Sequence, residues 1–372
     1  MADSPKIRVG MIGTGQIAQS HMSTYTQKLA DKVQIVACAD INEQAARTSA
    51  GKYNIPNVYT DFHKMLERDD LDSVDVCLHN NFHRSATEAG LKAGKHVYCE
   101  KPMAGSYTDA AAMLETARKT GKKLSIQLAQ LYSPETRATK ELIAAGELGD
   151  VYHARSTGFR RRGRPFVDGY GTPTFVQKRN SAGGALYDMG VYHISQMLYL
   201  LGNPKVERVS GKTYQKTDMD LKRRETSGYD VEELGMGFVR FAGGDLTMDI
   251  IEAWAIHLDN FEGSSIVGSK GGVRLNPFGF YRSFGDLAVN GTGDLNQAQF
   301  RWNNVRGDGE YYSGAQQHWI AALQGKVDLL PTAEIALNTM LISEAIYLSN
   351  AQNREVTAQE VVEASKSTMV QI

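Results

Sequence analysis

A short apolar run, Ile7 to Ile12, breaks at Gly13-Thr14-Gly15-Gln16-Ile17-Ala18 and passes straight into a helix-periodic segment. This strand, turn and helix limits the fold more than any other stretch. Small residues at 13, 15 and 18 let backbone approach a pyrophosphate and let the helix lie close to its sheet, as a dinucleotide site requires. The helix start offers unpaired N–H groups and a partial positive charge to phosphate. Asp40 closes the next apolar run, Val33 to Ala39, 22 residues after Ala18. A carboxylate there accepts hydrogen bonds from both ribose hydroxyls and repels a 2′-phosphate. The residues that follow, Ile41 and Asn42, bring no arginine to receive one, so NAD is expected in preference to NADP. The rival reading of Asp40 is a helix cap or turn residue.

The first 130 residues continue the alternation. Val74 to Leu78, His96 to Cys99 and Leu124 to Leu128 read as buried strands. Ile17 to Leu29, Gln44 to Tyr53, Arg84 to Ala93 and Thr108 to Thr120 read as helices. That order predicts a doubly wound parallel sheet of the Rossmann kind. Pro134 to Ala145 forms a bridging helix closed by Gly146 and Gly149. From Val151 the pattern changes to longer strands, Val206 to Lys216, Glu232 to Phe241 and Asp245 to Trp254, with a Gly243-Gly244 hairpin signal between the last two. A helix over Asp188 to Leu201 and a helical tail from Gly314 to Asn350 accompany them. The expected fold is α/β: a Rossmann domain over residues 1–130, then an α+β domain over 131–372 with a large, mostly antiparallel open sheet. The length of 372 residues suits two domains at roughly 150 residues each. Helices on one side of the second sheet leave its other face for water or a second subunit, so a homo-oligomer, dimer or tetramer, is expected through that face.

Composition excludes other classes. A net charge of -1 gives no bulk attraction to nucleic acid or an anionic membrane. No apolar stretch approaches the 20 or so residues of a spanning helix, and Met1 to Lys6 lack the form of a signal peptide. A cytoplasmic protein follows as the expectation. Cys38, Cys77 and Cys99 lie in separate apolar runs and read as reduced core thiols, with no metal called for.

Polar residues gather where strands end, the ligand edge of open α/β sheets. His79-Asn80-Asn81-Phe82-His83 follows one strand and Glu100-Lys101-Pro102 another. The Lys101 ammonium suits stabilisation of alkoxide charge while hydride leaves carbon; a solvated lysine paired with Glu100 is the plainer alternative. In Gly183 to His193, helical spacing puts Asp188, Tyr192 and Ser195 on one face and turns His193 away. Capping by Asp188 and packing of Tyr192 and His193 remain open.

With these motifs in place, the chain resembles the glucose-fructose oxidoreductase, inositol dehydrogenase and rhizopine-catabolism family, Gfo/Idh/MocA, over nearly its whole length. The likeness rests on Gly13 to Ala18, on Ala93-Gly94-Lys95-His96-Val97 leading into Glu100-Lys101-Pro102, and on Asp188-x-Gly190. Ile266 to Gly272 and Leu341 to Ser349 extend it. It implies that Lys101 is the active-site lysine and that Asp188 contacts substrate and base. It also implies that Asn80, Asn81 and His83 line the nicotinamide side, with Glu100 and Lys101 on the cofactor's flank. Many relatives carry histidine four residues after the aspartate; Tyr192 stands there, as in some sugar-oxidising branches, and would need Lys101 nearby to favour its anion. His193 is the other acid/base candidate.

Phe159 to Pro165, with Arg160, Arg161, Arg162 and Arg164, falls where relatives place a substrate loop, and guanidinium forks suit carboxylates and vicinal hydroxyls. Tyr170 and Lys178 are further substrate candidates; a solvated basic loop is the alternative. Leu131 stands where some relatives have arginine, and Trp254 or Trp302 could stack on a sugar or simply be buried. The expected activity is NAD-dependent oxidation of a secondary alcohol or hemiacetal of a sugar, glycoside or cyclitol, with no metal. A glycosidase recycling bound NAD and a non-catalytic sugar or NAD sensor are the alternatives.

Overall fold

The computed structural model describes residues 5–259 and 261–372. The first four residues, part of the segment read as lacking a signal peptide, lie outside the described residues. Six parallel strands form the first sheet in the order β3 (Asn57–Tyr59), β2 (Val33–Ala39), β1 (Ile7–Ile12), β4 (Ser73–Val76), β5 (His96–Cys99) and β6 (Leu124–Ile126). This 3-2-1-4-5-6 order reverses direction at β1 and β4, which opens a ligand crevice at their carboxyl ends. Coverage by helices on both sides explains why β4 is buried at every residue. The helix His83–Lys92 lies so close that a Cβ at Gly90 would stand 2.9 Å from Val74 Cγ2. The first helix departs from expectation: α-helix covers Gln16–Ser23, and a wider π-turn covers Thr24–Lys28.

The second sheet has nine strands, in the order β14 (Leu287–Gly291), β13 (Gly279–Phe284), β12 (Gly271–Arg274), β11 (Ser265–Gly268), β7 (Val151–Phe159), β10 (Thr247–Ala253), β9 (Leu234–Phe241), β8 (Val206–Tyr214) and β15 (Val356–Thr357). Among the described residues of this sheet, β7 and β10 alone pair in parallel; the other pairings are antiparallel. The expected Gly243-Gly244 turn has φ of +99° and +86°, a conformation that favours glycine. Two helices, Val191–Leu200 and Thr332–Gln352, pack on the inner face. Ile346 of the longer helix seats above Gly211 and Gly237, where a Cβ would come within 2.8 Å and 2.7 Å of it. The outer face leaves Tyr214 and Met236 exposed and Phe238 and Ile251 half-buried.

The end of the chain packs against the first unit. Its last residues return to the first unit: Ser367 Oγ donates to Asp109 Oδ1 at 2.6 Å, and Val370 N–H donates to the Asn81 carbonyl at 2.9 Å. Among the described residues, no helix is long and apolar enough to cross a membrane.

Because Ile346 is fully buried in its glycine-lined seat, Ile346→Ala should lower the unfolding free energy by about 2–5 kcal/mol through lost transfer energy and a residual cavity. Denaturant titration of the purified variant checks this; an unchanged midpoint would contradict the packing described.

Candidate active site

At the top of β1 the chain turns through Gly13, with φ +89°, where a Cβ would fall 2.4 Å from the Cys77 carbonyl oxygen. Only glycine fits that turn. A Cβ built at Gly15 would meet nothing within 4 Å, so open space lies before the helix that begins at Gln16. No side chain caps that helix and no acidic residue occupies its first turn, which leaves its N-terminus ready for an anion. Gln16 and Ile17 are exposed, and Ala18 is buried where the helix meets the sheet. The Asp40 carboxylate turns toward this loop, accepting from Thr14 N–H and Oγ–H at 2.8 Å each, and from Asn42 N–H at 2.9 Å. The cap of the next helix is Asn42, whose side chain accepts from Ala45 N–H. Space for a pyrophosphate, an uncapped helix and a carboxylate at the β2 end together fit NAD.

Beneath the crevice runs a buried chain of alternating charge. His21, on the first helix, places Nδ1 2.9 Å from Asp75 Oδ2 and Nε2 2.8 Å from Glu100 Oε1. Both ring nitrogens face carboxylates, so both carry protons and the ring is cationic. Burial opposes that charge, but Asp75 outweighs it and the pKa stands well above the usual histidine value. Burial likewise works against ionised Glu100, and His21 holds its pKa below the usual value. Glu100 Oε2 then accepts from the Lys101 N–H at 3.0 Å. The helix whose N-terminus awaits phosphate thereby also grips the residue that carries Lys101.

Lys101 reaches into the second unit. Its ammonium donates to Asp188 Oδ1 at 2.9 Å and to the Asp188 carbonyl at 3.0 Å, and stands 4.6 Å from the centre of the Tyr192 ring. Burial disfavours the ammonium, but Asp188, Tyr192 and Glu100 outweigh burial and its pKa is raised. Trp254 Nε1–H donates to Asp188 Oδ2 at 2.9 Å, and Arg160 Nη1 lies 3.9 Å from the same oxygen. Burial raises the Tyr192 pKa, and Lys101 only partly opposes the rise. Lys101 favours the anion as expected, but burial outweighs it and the phenol stays neutral at physiological pH.

The helix that carries Asp188 departs from uniform α-geometry. Leu186–Gly190 is a π-turn, with α-helix only from Val191. His193 Nδ1 lies 3.0 Å from Glu252 Oε2, and the ring is partly exposed.

Several other candidates are tied up elsewhere. His83 is fully buried with its ring nitrogens on the Pro102 and Leu78 carbonyls, so it does not line the crevice. Asn81 donates to the Arg179 carbonyl and accepts from Thr368 Oγ–H, and Asn80 donates to the Ser181 carbonyl. These contacts make the pair a clasp between units. Glu100 is spent on His21 and Lys101. Arg164 is completely buried between Asp168 and Glu233, closing the substrate-contact reading for it. Arg162 pairs with Asp218 at the surface, and Tyr170 O–H donates to the Gly163 carbonyl beside Arg160. Lys178 is exposed, with its backbone N–H on Asp230. Sequence reasoning missed His21, Trp254 as a donor to Asp188, and Glu252. A buried histidine on the turn-following helix carried the only local signal, its 3.6-residue register with Ala18 and Met22.

Residues 7–128 match the model described as "Oxidoreductase family, NAD-binding Rossmann fold", and residues 140–358 match "Oxidoreductase family, C-terminal alpha/beta domain". The chain belongs to the Gfo/Idh/MocA oxidoreductase family, and its cofactor is NAD. It is 30% identical to D-glucoside 3-dehydrogenase of Escherichia coli K12 over 356 residues, 94% of this chain and 96% of that one. It is 28% identical to myo-inositol 2-dehydrogenase of Thermotoga maritima over 203 residues, 55% and 57% of the two chains. Its fold matches levoglucosan dehydrogenase solved with NADH and levoglucosan, with a TM-score of 0.78 and 19% identity, over 95% of this chain and 100% of that one.

Replacing His21 with glutamine would leave two buried carboxylates without their cation. His21→Gln should cost about 3–5 kcal/mol in denaturant unfolding. With its pKa raised, the ring stabilises fully below about pH 6.5 and loses this effect only as pH climbs through the folded value, so the deficit should persist at pH 6 and 7. A deficit under 1 kcal/mol would contradict the charge chain.

Proposed function

We propose that this chain oxidises a secondary alcohol or hemiacetal of a sugar, glycoside or cyclitol as a cytoplasmic, NAD-dependent dehydrogenase. The observation that carries the reading is the Lys101 ammonium, held by Asp188 at the carboxyl edge of the parallel sheet, beside an open helix N-terminus. The names of the relatives, dehydrogenases of glucosides and inositol, support the substrate class. Gly13, Gly15 and the first-turn N–H groups of Gln16, Ile17 and Ala18 would hold the pyrophosphate, and Asp40 the ribose hydroxyls. Bound NAD supplies a hydride acceptor. Lys101 then hydrogen-bonds the reacting oxygen and stabilises developing negative charge on it. Asp188, fixed by Trp254, orients both the lysine and a substrate hydroxyl. Tyr192 packs under the ammonium, and exposed Arg160 and Arg162 with Lys178 border the approach.

Absorbance at the NADH band, with NAD or NADP and a panel of sugars, glycosides, sugar acids and inositols, tests this. NADH should form with one class, NADPH far more slowly, and Lys101→Ala should lower kcat/KM by roughly 10²-fold or more. Silence across the panel with NAD released on denaturation would point instead to recycled cofactor or a sensor.

The outer face of the nine-stranded sheet supports a homo-oligomer, dimer or tetramer, because Met236 and Tyr214 are exposed there beside Phe238 and Ile251. Light scattering should give a multiple of the 40.9 kDa chain mass, reduced by Met236→Glu. A monomer at every concentration would remove this part of the proposal.

A further inference from the structure

A cavity of about 350 Å³ lies beside the π-turn of the first helix, and none of the residues placed in the crevice lines it. Its walls include Lys28, Tyr98 of β5, Gln127 beyond β6, and the start of a later helix, Gly314 to Gln317. That size falls in the range of small-molecule sites, roughly 300–1,000 Å³. No aspartate or glutamate lines it, and Lys28, its only charged residue, is exposed and forms no ion pair among the described residues. The helix Ala315–Leu323 starts there behind an extended Gly314, with no side-chain cap and no acidic residue in its first turn. The N–H groups of Ala315, Gln316 and Gln317 find no protein acceptor among the described residues, so the helix presents free donors and a partial positive charge. The sheet side of the cavity carries unmet polar groups of its own. Tyr98 is completely buried, yet its hydroxyl has no hydrogen-bond partner, and neither has the buried Gln127 Oε1. Interiors leave few such atoms unpaired, and here a donor and an acceptor stand unpaired on residues that line one cavity. Trp319, one turn into the same helix, lies against Tyr98 with ring centres 5.9 Å apart. Gln316 Nε2–H donates to the His21 carbonyl at 3.3 Å. The helix start is thereby fixed against both the sheet and the first helix.

We propose that this cavity is a second ligand site, separate from the crevice, for a small organic oxyanion that also carries hydroxyl groups, a sugar acid or a sugar phosphate. The carboxylate or phosphate lies at the helix start, where the N–H groups of Ala315, Gln316 and Gln317 and the Lys28 ammonium are its donors. Tyr98 O–H donates to a hydroxyl of the ligand body, and Gln127 Oε1 accepts from one. The volume holds roughly ten waters at about 30 Å³ each, which leaves space for such a body beyond the anion. A divalent cation would meet no carboxylate here, and a neutral sugar would leave the helix start and Lys28 unused. The site stands independently of which alcohol the crevice oxidises.

Ligand-detected NMR titration of the full-length protein saturated with NADH, so that the pyrophosphate site is filled, tests the site. The probes are glucuronate, glucose 6-phosphate, inorganic phosphate and glucose. One or both sugar anions should bind, and the tighter of the two tells a carboxylate source from a phosphate source. Gln317→Glu sets a carboxylate in the first turn, which favours the helix itself, and should weaken oxyanion binding by roughly tenfold or more without lowering the denaturant midpoint. Lys28→Glu, at an exposed position, should weaken it in the same direction. Tyr98→Phe removes a hydroxyl that bonds nothing in the protein; it should weaken the sugar anions by roughly fivefold and leave inorganic phosphate unchanged. Glucose should respond to neither Gln317→Glu nor Lys28→Glu. Oxyanion affinity that is unchanged in both charge variants places the anion elsewhere and overturns the site. Absence of binding by both sugar anions at millimolar concentration overturns it equally, as does glucose binding as tightly as they do. Equal loss of inorganic phosphate and sugar anions in Tyr98→Phe overturns the part given to its hydroxyl.

Discussion

The ion pair between Lys101 and Asp188 joins the two units at the carboxyl edge of the parallel sheet. Lys101 ends a parallel strand, Asp188 sits in a helix packed on the antiparallel sheet, and neither unit holds both. An ammonium and a carboxylate withdrawn from water hold together only with additional donors and acceptors, and here each has them. Trp254 donates to the second oxygen of Asp188, and Glu100 accepts the Lys101 backbone N–H while itself being neutralised by His21. The order of charge from Asp75 through His21, Glu100 and Lys101 to Asp188 alternates in sign, so each group meets an opposite neighbour. Each group of the crevice floor thus has its hydrogen-bond partners in place, which suits electrostatic stabilisation that needs little reorganisation.

The part of the fold governed by local periodicity was open to reading. β1, β2, β5 and the Gly13 to Ala18 turn stand where hydrophobic runs and small residues place them, because a strand buried on both faces leaves a continuous apolar signature. β8, β9 and β10 were legible within a few residues for a similar reason. β3 has only three residues, and β11 to β14 are rich in glycine and polar groups, so their identity comes from pairing with neighbours, which no local window contains. Lys101 and Asp188 could be picked out by motif. Their partners could not, since Trp254 and Glu252 lie more than fifty residues downstream of the helix they serve.

The helix that carries Asp188 shows where a single period misleads. Nothing in Leu186 to Gly190 announces a wider turn by composition. Close packing surrounds it: Gly190 passes close to Glu252, and the Leu186 side chain fills the space that a Cβ at Gly235 would occupy, 2.3 Å away. Arg164 errs in the other direction. Its place in an arginine-rich run suggested an exposed ligand contact, yet Asp168 and Glu233 draw it wholly into the interior, leaving Arg160 as the member of that run nearest the reacting groups.

The returning tail alters how completion of the site is ordered in time. Asn81, on the loop beside the crevice, is held by Thr368 and Val370, and those residues leave the ribosome long after the sheet they fasten. A nascent Rossmann unit can bury its strands and offer its glycine turn early, but its clasp with the second unit waits for residues from the far end of the chain. A polypeptide halted before them would carry the glycine turn without these two contacts to Asn81.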